Sequence, residues 1–364
     1  MGKRTLIYSG ALTLLLALSL STYTNDEVAT SSAGVVVIDM DRASISEINY
    51  ESPDRDVLLT ILNDEAGEYL WAEVTIREEV EVEVEAEVEV EVEVEADSDE
   101  ESATEGLEET EPLVTTTEVQ TTVTRFKAGA TLEALIENLA PMNAKRSIEA
   151  TDSLDAFGLV ESFATLTVSS EDGSESIRLG GAAYRTQDRY ISDTDGAIYI
   201  IDSSPLSPLT RSPRSLQDRS IFGVELSEIV GVAIASASRD SLELRQINPD
   251  DSEAAFWARE GESAGSPPIQ DWVGKLLRMN AGNYVQEGEA PTSTSELLTA
   301  RVLTIGGETI TMSVLGGQTD EGEAAFYASS THTRGLVMLE PSRTDNLIDD
   351  FEAVVMSPLG SVEP

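Results

Sequence analysis

The alternation of apolar and polar residues predicts two runs of β-strands, and each run ends at a tryptophan. The first run extends from Val35 to Trp71, with turn signals at Ser52-Pro53-Asp54 and between Asp64 and Gly67. The second run extends from Phe222 to Trp257. Short strands separated by polar turns of this kind form antiparallel meanders. The pattern therefore predicts a similar meander twice along the chain.

Each meander is followed by an amphipathic helix with apolar residues at helical spacing, and then by further strands. The predicted buried positions are Leu132, Leu135, Ile136 and Leu139 in the first helix, and Ile269, Trp272, Val273, Leu276 and Leu277 in the second, which begins at Pro267-Pro268. A third, short helix is predicted from Thr344 to Val355. These elements predict an α+β fold of two tandem units, each an antiparallel sheet plus a helix.

The spacing of matching residues supports a duplication with an insertion. Trp71 and Trp257 are 186 residues apart, whereas Leu179-Gly180-Gly181 and Leu315-Gly316-Gly317 are 136 apart. The difference, 50, is close to the length of an acidic, low-complexity stretch between Glu78 and roughly Lys127 in the first copy. We therefore predict units at residues 35–211 and 212–357, with Trp71 and Trp257 in equivalent buried positions.

The acidic insertion covers residues 78–112, with 18 Asp and Glu and no Lys or Arg. Glu and Val alternate from Glu78 to Glu95, which is a strand period, but like charges that face each other in a sheet are destabilising. The sequence therefore predicts an extended, mostly unpaired and disordered segment. A docked strand or a cation-binding comb is the alternative.

The N-terminus predicts a membrane anchor. Lys3 and Arg4 precede an uncharged stretch from Thr5 to Tyr23, which is long enough to span a bilayer as a helix. Residues 1–24 are therefore predicted to be a signal anchor in a single-pass cell-membrane protein. The alternative is a cleaved signal peptide, with Ser19 and Ser21 before the cut. With either alternative, the remainder lies outside the cytoplasm, periplasmic or extracellular.

Charge and composition narrow the classes of partner. The net charge is -45, and the chain has four lysines and no cysteine. No basic patch is available for nucleic acid, and thiolate chemistry and disulfides are excluded. An acidic, lysine-poor surface is better tolerated where salt screens it, so we predict a salt-rich, halophilic setting.

Candidate chemistry is sparse. Gly261-Glu262-Ser263-Ala264-Gly265 matches the nucleophile elbow of hydrolases, with Asp320 and His332 following in chain order, but Pro267-Pro268 interrupts the helix that the elbow needs. Asp193 to Gly196 resembles half of a calcium loop, although a hairpin turn explains it better. We therefore predict no catalytic, cofactor-binding or metal-binding residues and no enzymatic activity.

Several segments together resemble a known family. They are Leu132 to Pro141, Phe157-Gly158-Leu159, Thr165 to Ser169, Ile177 to Gly181, Arg189-Tyr190-Ile191, Ala197 to Asp202, and the junction Ser215 to Ile221. Their order resembles the bacterial family called domain of unknown function 4340, over nearly everything after residue 35 except the insertion. The resemblance implies an N-terminal membrane segment, with which members of this family typically begin. It also implies an envelope location, because such proteins are often encoded beside transporters of the ATP-binding-cassette type. It supplies no catalytic residues.

These inferences together predict an extracytoplasmic accessory or scaffolding protein whose partners are subunits of an ABC-type transporter. A surface structural protein, in which the acidic segment forms a hydrated stalk, is the main alternative. A serine hydrolase that uses Ser263 and His332 is the weakest alternative.

Overall fold

The computed structural model describes residues 34–85, 113–149, 153–236, 239–251, 253–291, 293–319 and 322–356. The predicted anchor from Thr5 to Tyr23 lies outside these residues, as do Asp320 and residues 86–112 of the acidic insertion.

Strands predominate over helices in the described residues. The strands are β1 (Val35–Ile38), β2 (Ile45–Glu51), β3 (Arg55–Asp64), β4 (Gly67–Glu85), β5 (Leu113–Lys127), β6 (Met142–Ala144), β7 (Arg146–Ile148), β8 (Ala164–Ser170), β9 (Gly173–Ala182), β10 (Asp188–Ser192), β11 (Ile198–Asp202), β12 (Ile229–Ser236), β13 (Arg239–Ile247), β14 (Phe256–Arg259), β15 (Thr294–Thr304), β16 (Thr309–Gln318), β17 (Ala324–Ser330) and β18 (Val337–Met338). The α-helices are α1 (Ala130–Leu139), α2 (Pro213–Leu216), α3 (Pro267–Leu277) and α4 (Pro341–Met356). The fold is therefore antiparallel sheet with few helices, which confirms the α+β prediction at this level.

The described residues form two compact units, and neither is continuous in sequence. The first unit draws its described residues from Met1–Ser46 and Ala134–Pro208, and the second from Glu47–Glu133 and Leu209–Pro364. This division differs from the contiguous units predicted at 35–211 and 212–357, because the second unit includes the first meander as well as all strands after β11. The predicted boundaries between sequence copies stay a prediction.

The first unit is built from short antiparallel pairs. β1 pairs with β6. Successive hairpins give the order β8-β9-β10-β11, and the earlier strand β7 pairs with the far side of β11. Its core consists of alternate residues from neighbouring strands, because period two directs every second side chain to the same face. Leu166, Ile177 and Ile191 are examples, and all three are buried.

The second unit contains two sets of antiparallel strands. The first set has the order β5-β4-β3-β2, and the second has the order β14-β13-β12-β15-β16-β17-β18. Helix α3 packs against α4, where the Trp272 indole N–H donates to the Leu347 carbonyl at 2.7 Å and the Trp272 ring lies 5.2 Å from that of Phe351. A buried Trp with its N–H bonded is a stable core anchor.

The order of the hairpins is the same in both predicted copies. The meander β2-β3-β4 corresponds to β12-β13-β14, and the run β8 to β11 corresponds to β15 to β18. The two Leu-Gly-Gly segments lie on the corresponding strands β9 and β16. The repeated pattern of connections supports the duplication predicted from the spacing of these residues.

The two tryptophans lie on corresponding strands but are not equally buried. Trp257 in β14 is 5% exposed. Trp71 in β4 is only partly buried and lies edge-on to the ring of Tyr284, at 6.1 Å between centroids. β4 pairs with β5 from Trp71 onward, whereas β14 is a short edge strand that ends at Arg259 and pairs with β13. The two tryptophans therefore have different neighbouring strands.

The first part of the acidic insertion is paired, which corrects the prediction that it is unpaired. Strand β4 continues to Glu85, and from Trp71 to Glu85 it pairs with the whole of β5 without a bulge. Glu79 lies opposite Val119, and Glu81 lies opposite Thr117, so no acid faces them directly. The expected repulsion assumed acids on both strands, whereas the partner is rich in Thr. We call residues 78–85 and 113–120 the acidic arm.

Within these described ranges, no helix is both long enough and apolar enough to cross a membrane.

Candidate functional site

Three distant segments of the second unit bring an ammonium, a carboxylate and an imidazole together. Lys127 is the last residue of β5, Asp218 follows α2, and His332 lies in the loop after β17. Asp218 belongs to the segment Ser215 to Ile221, which carries the family resemblance at the predicted junction. We call Lys127, Asp218 and His332 the junction cluster.

The cluster is centred on one carboxylate oxygen. Asp218 Oδ2 lies 2.6 Å from Lys127 Nζ and 2.7 Å from His332 Nε2, and these two nitrogens are 3.0 Å apart. The other oxygen, Oδ1, accepts the backbone N–H of Ser220 at 2.9 Å. Both carboxylate oxygens are therefore occupied by bonds within the second unit.

The backbone fixes the positions of these side chains. The N–H of Asp218 donates to the carbonyl of Lys127 at 2.9 Å, and the N–H of Gly129 donates to the carbonyl of Leu216 at 2.8 Å. The chain after α2 thus forms a short antiparallel bridge with the end of β5. Two residues 91 positions apart are held side by side by main-chain bonds.

The charges are largely removed from water. The side chain of Lys127 is 7% exposed and that of Asp218 is 20% exposed. Burial acts to raise the pKa of Asp218, but the hydrogen bonds from His332, Lys127 and the Ser220 N–H outweigh it and hold this pKa well below its ordinary value. Asp218 is therefore an anion at every physiological pH.

Tyr284 closes one side of the cluster. Its hydroxyl donates to the carbonyl of Asp218 at 3.2 Å, and its ring contacts Trp71 and Phe126. Burial, reinforced by the charge of Asp218, raises the pKa of Tyr284 far above the usual value. The hydroxyl thus stays protonated and acts as a hydrogen-bond donor.

Gly223 makes room for the imidazole. Its φ is +68°, in the left-handed region, and a Cβ at this position would overlap the Cε1 and Nδ1 atoms of His332. The Nδ1 edge of the ring therefore faces the main chain of Gly223. With Nε2 bonded to Asp218, His332 is held in position on both sides.

A cavity of about 380 Å³ lies beside His332. Its lining includes Phe222, Gly223, His332, Arg334 and the acidic residues Glu65 and Glu308. The Arg334 guanidinium donates to both carboxylate oxygens of Asp64 at 3.0 Å and lies over the ring of Tyr69. The only arginine in this lining is thus already neutralised, and the wall carries acidic groups.

The structure does not bring Ser263 and His332, the residues of the hydrolase alternative, together. Ser263 is exposed in the segment between β14 and α3, whereas His332 directs Nε2 to Asp218 and Lys127. A triad needs the serine hydroxyl within hydrogen-bond reach of the imidazole. The order Ser, Asp, His in the sequence matched a motif without its strand-to-helix turn.

The resemblance of Asp193 to Gly196 to a calcium loop is explained by a hairpin turn. The Asp193 carboxylate accepts the N–H of Ala197 at 2.8 Å and the hydroxyl of Tyr199 at 3.0 Å. Both oxygens are thus used to close the turn between β10 and β11. Among the residues that the structure describes, no group of three or more His, Cys, Asp or Glu is arranged to hold a metal ion.

Sequence reasoning found His332 but missed both of its partners. Lys127 and Asp218 are separated by 91 residues, and neither lies in a motif with known chemistry. The available signals were indirect: Lys127 is one of only four lysines, and Asp218 lies in the junction segment.

Comparison with known proteins bears on the same segment. Residues 127–300 match the model of the family described as Domain of unknown function (DUF4340). The family resemblance predicted from the sequence is confirmed for these residues. Lys127 and Asp218 lie within the DUF4340 match, and His332 lies beyond its end. No curated protein and no solved structure matches the chain.

Proposed function

We propose that the protein is an extracytoplasmic, membrane-anchored accessory or scaffolding protein that associates with an ABC-type transporter. The observation that supports a non-catalytic role in this proposal is that the groups of the junction cluster bind one another. Asp218 bonds to Lys127, His332 and the Ser220 N–H, and Tyr284 donates to the Asp218 carbonyl. Such an arrangement fixes three chain segments rather than presenting a reactive group, and it favours a binding role over a catalytic one.

The location in the envelope is supported by the sequence. The uncharged stretch from Thr5 to Tyr23 after Lys3 and Arg4 favours an anchor with the remainder outside the cytoplasm. The net charge of -45 favours a salt-rich surrounding, where counterions screen the repulsion. The association with a transporter follows from the family resemblance alone.

The association is tested by crosslinking in intact membranes, followed by mass spectrometry of the recovered partners. The control is a variant in which Thr5 to Tyr23 are replaced by an unrelated membrane anchor. Transporter subunits recovered with both proteins would show that the folded part binds them. If neither protein recovers them, the accessory role is wrong.

A surface structural protein is the second candidate, and the acidic arm favours it. β4 has 19 residues and β5 has 15, which is long for strands of a globular protein. A charged, paired hairpin could act as a hydrated spacer. Recovery of only cell-wall polymers or of identical copies in the crosslinking experiment would favour this function.

A serine hydrolase is the remaining alternative, and Ser263→Ala tests it directly. Ser263 is exposed, so this substitution should leave folding unchanged. Hydrolysis of ester substrates that is present in the unmodified protein and absent in the variant would establish the hydrolase.

A further inference from the structure

One edge of β5 has no neighbouring strand within the described part of the chain. Only the end of this edge is covered. Asp218 N–H donates to the Lys127 carbonyl, and Gly129 N–H donates to the Leu216 carbonyl. The backbone groups of Lys127 and Gly129 therefore point away from β4, toward the outer side of β5.

At Arg125, a side chain takes the place of a strand. Gln286 Oε1 accepts the Arg125 N–H at 2.7 Å, and Gln286 Nε2 donates to the Arg125 carbonyl at 3.3 Å. The carboxamide thus makes both bonds that a residue of an added antiparallel strand would make. The outer edge of β5 binds an amide with the geometry of a peptide.

Beyond Arg125, no strand of the described residues pairs with the same side of β5. In a strand, the N–H and C=O of one residue point to the same side, and that side alternates along the chain. The β4–β5 register has no bulge, so the alternation continues without interruption. The residues whose backbone groups point outward are therefore Val123, Thr121, Val119 and Thr117. We call them the open edge.

A groove of about 920 Å³ begins beside the open edge. Its lining includes Thr121 and Val123 of β5, together with Tyr284 and Gln286 from the segment before β15. The lining also contains three acids, Glu287, Glu289 and Glu323, and a single arginine, Arg214. Glu287 is paired with the Arg125 guanidinium at 3.1 Å. A strand added next to Gln286 would thus lie in a mostly acidic groove.

The acidic arm extends this charge. Glu79 and Glu81 lie on the strand beside the open edge, and Glu118 lies on β5 itself. A second copy of this chain, or residues 86–112 of the insertion, would bring further acids to an acidic surface. An extended segment with Lys or Arg at alternate positions matches the groove in both backbone geometry and charge.

We propose that the open edge binds an extended, cationic segment of a partner protein as an added antiparallel strand next to Gln286. The main-chain bonds to Val123, Thr121, Val119 and Thr117 hold the segment, and the acids around the groove select its charge. This assignment is independent of the transporter association, because it rests on the backbone of β5, on the Gln286 carboxamide and on the acids around the groove.

The binding is measured by calorimetry with the full-length chain in detergent micelles. The probe is a peptide of about ten residues in which Val and Lys alternate. Thr121→Pro removes an outward N–H without removing a bond to β4, whereas Thr121→Ala keeps this N–H. We expect Thr121→Pro to weaken binding about tenfold and Thr121→Ala to leave it within about twofold.

A second peptide carries N-methyl groups at the positions that would donate to β5, and the protein is left unchanged. We expect this peptide to bind at least about tenfold more weakly than the unmethylated peptide of the same charge. Equal binding of the two peptides would mean nonspecific attraction to the acids and would overturn the proposal, whatever the effect of Thr121→Pro on the hairpin.

Amide hydrogen exchange locates the site. In the free protein, the N–H groups of Val119 and Thr121 should exchange quickly and those of Gln120 and Thr122 slowly, and the peptide should slow the first pair. If Val119 and Thr121 are already protected in the free chain, another segment or a second copy covers the edge, and the proposal is wrong.

Discussion

The ammonium of Lys127 and the imidazole of His332 lie 3.0 Å apart, although 205 residues separate them in the chain. They are held by the same oxygen of Asp218. Two donors that share one partly buried carboxylate depend on its charge, since without it Lys127 would be a buried cation that has lost its counterion. The cluster therefore fixes the end of β5, the chain after α2 and the loop after β17.

Replacing Asp218 by Asn should destabilise the protein strongly. The amide cannot neutralise Lys127, so we expect the free energy of unfolding to fall by about 3 kcal/mol. Urea denaturation followed by tryptophan fluorescence measures this. The matched control is Asp250→Asn at an exposed position, which should change the free energy by less than about 0.5 kcal/mol. Equal effects of the two substitutions would show that the junction cluster contributes nothing to the free energy of unfolding.

The contribution of the Asp218 carboxylate to the stability of the folded protein should be lost in acid. Its folded-state pKa is depressed below the unfolded value of about 3.9, so the unfolded chain binds a proton more readily. The stabilisation is present above the unfolded pKa and disappears as the pH falls through the folded pKa. The difference in melting temperature between the unmodified protein and Asp218→Asn should thus narrow below about pH 4. A constant difference down to pH 2 would contradict the depressed pKa.

Gly223→Ala should displace His332 from the cluster. The added methyl group would overlap the imidazole at a left-handed backbone position. Gly307→Ala is the control, because Gly307 has φ +85° with no atom within 4 Å of its Cβ position. In denaturant unfolding, we expect Gly223→Ala to lower the free energy of unfolding by about 2 kcal/mol more than Gly307→Ala does. Adding His332→Ala should relieve most of this excess, and additive effects would argue against the overlap.

Shortening the acidic arm should leave the core intact. Residues 79–119 are replaced by an Asn-Gly turn that joins Glu78 to Gln120, which are partners in the β4–β5 register and face each other with their backbone groups. Because Val80 and Val119 in this arm are 38% and 61% exposed, little apolar burial is lost. Calorimetry should show a melting temperature within a few degrees of the original. A large decrease would mean that the arm packs on the folded part.

Membrane attachment should depend on Thr5 to Tyr23. The uncharged stretch is long enough to span the bilayer, so the full chain should remain in the membrane fraction after a salt wash. Deleting the stretch should release the protein. Sequencing the N-terminus provides the decisive control, since a soluble mature form that begins near Thr22 would indicate a cleaved signal peptide instead.

The sequence by itself determined the local elements and their repeated order. Helix α3 begins at Pro267, as predicted. Four of its five predicted buried positions, Ile269, Trp272, Val273 and Leu276, are buried, whereas Leu277 is only partly buried. The four predicted apolar positions of α1 are likewise at most 1% exposed. These features follow from residues close together in the chain, where periodicity and helix starts are encoded.

Only the tertiary structure decided which distant segments meet. The partner of residues 78–85 of the Glu-Val repeat is the Thr-rich β5 rather than another acidic strand. Repulsion between acids on facing strands, which the sequence led us to expect, is therefore avoided at Glu79 and Glu81. Likewise, Lys127, Asp218 and His332 form a cluster because the chain after α2 bonds to the end of β5 and Gly223 leaves space for the imidazole. Local sequence patterns do not predict such contacts, because main-chain hydrogen bonds between remote segments depend on how the whole unit packs.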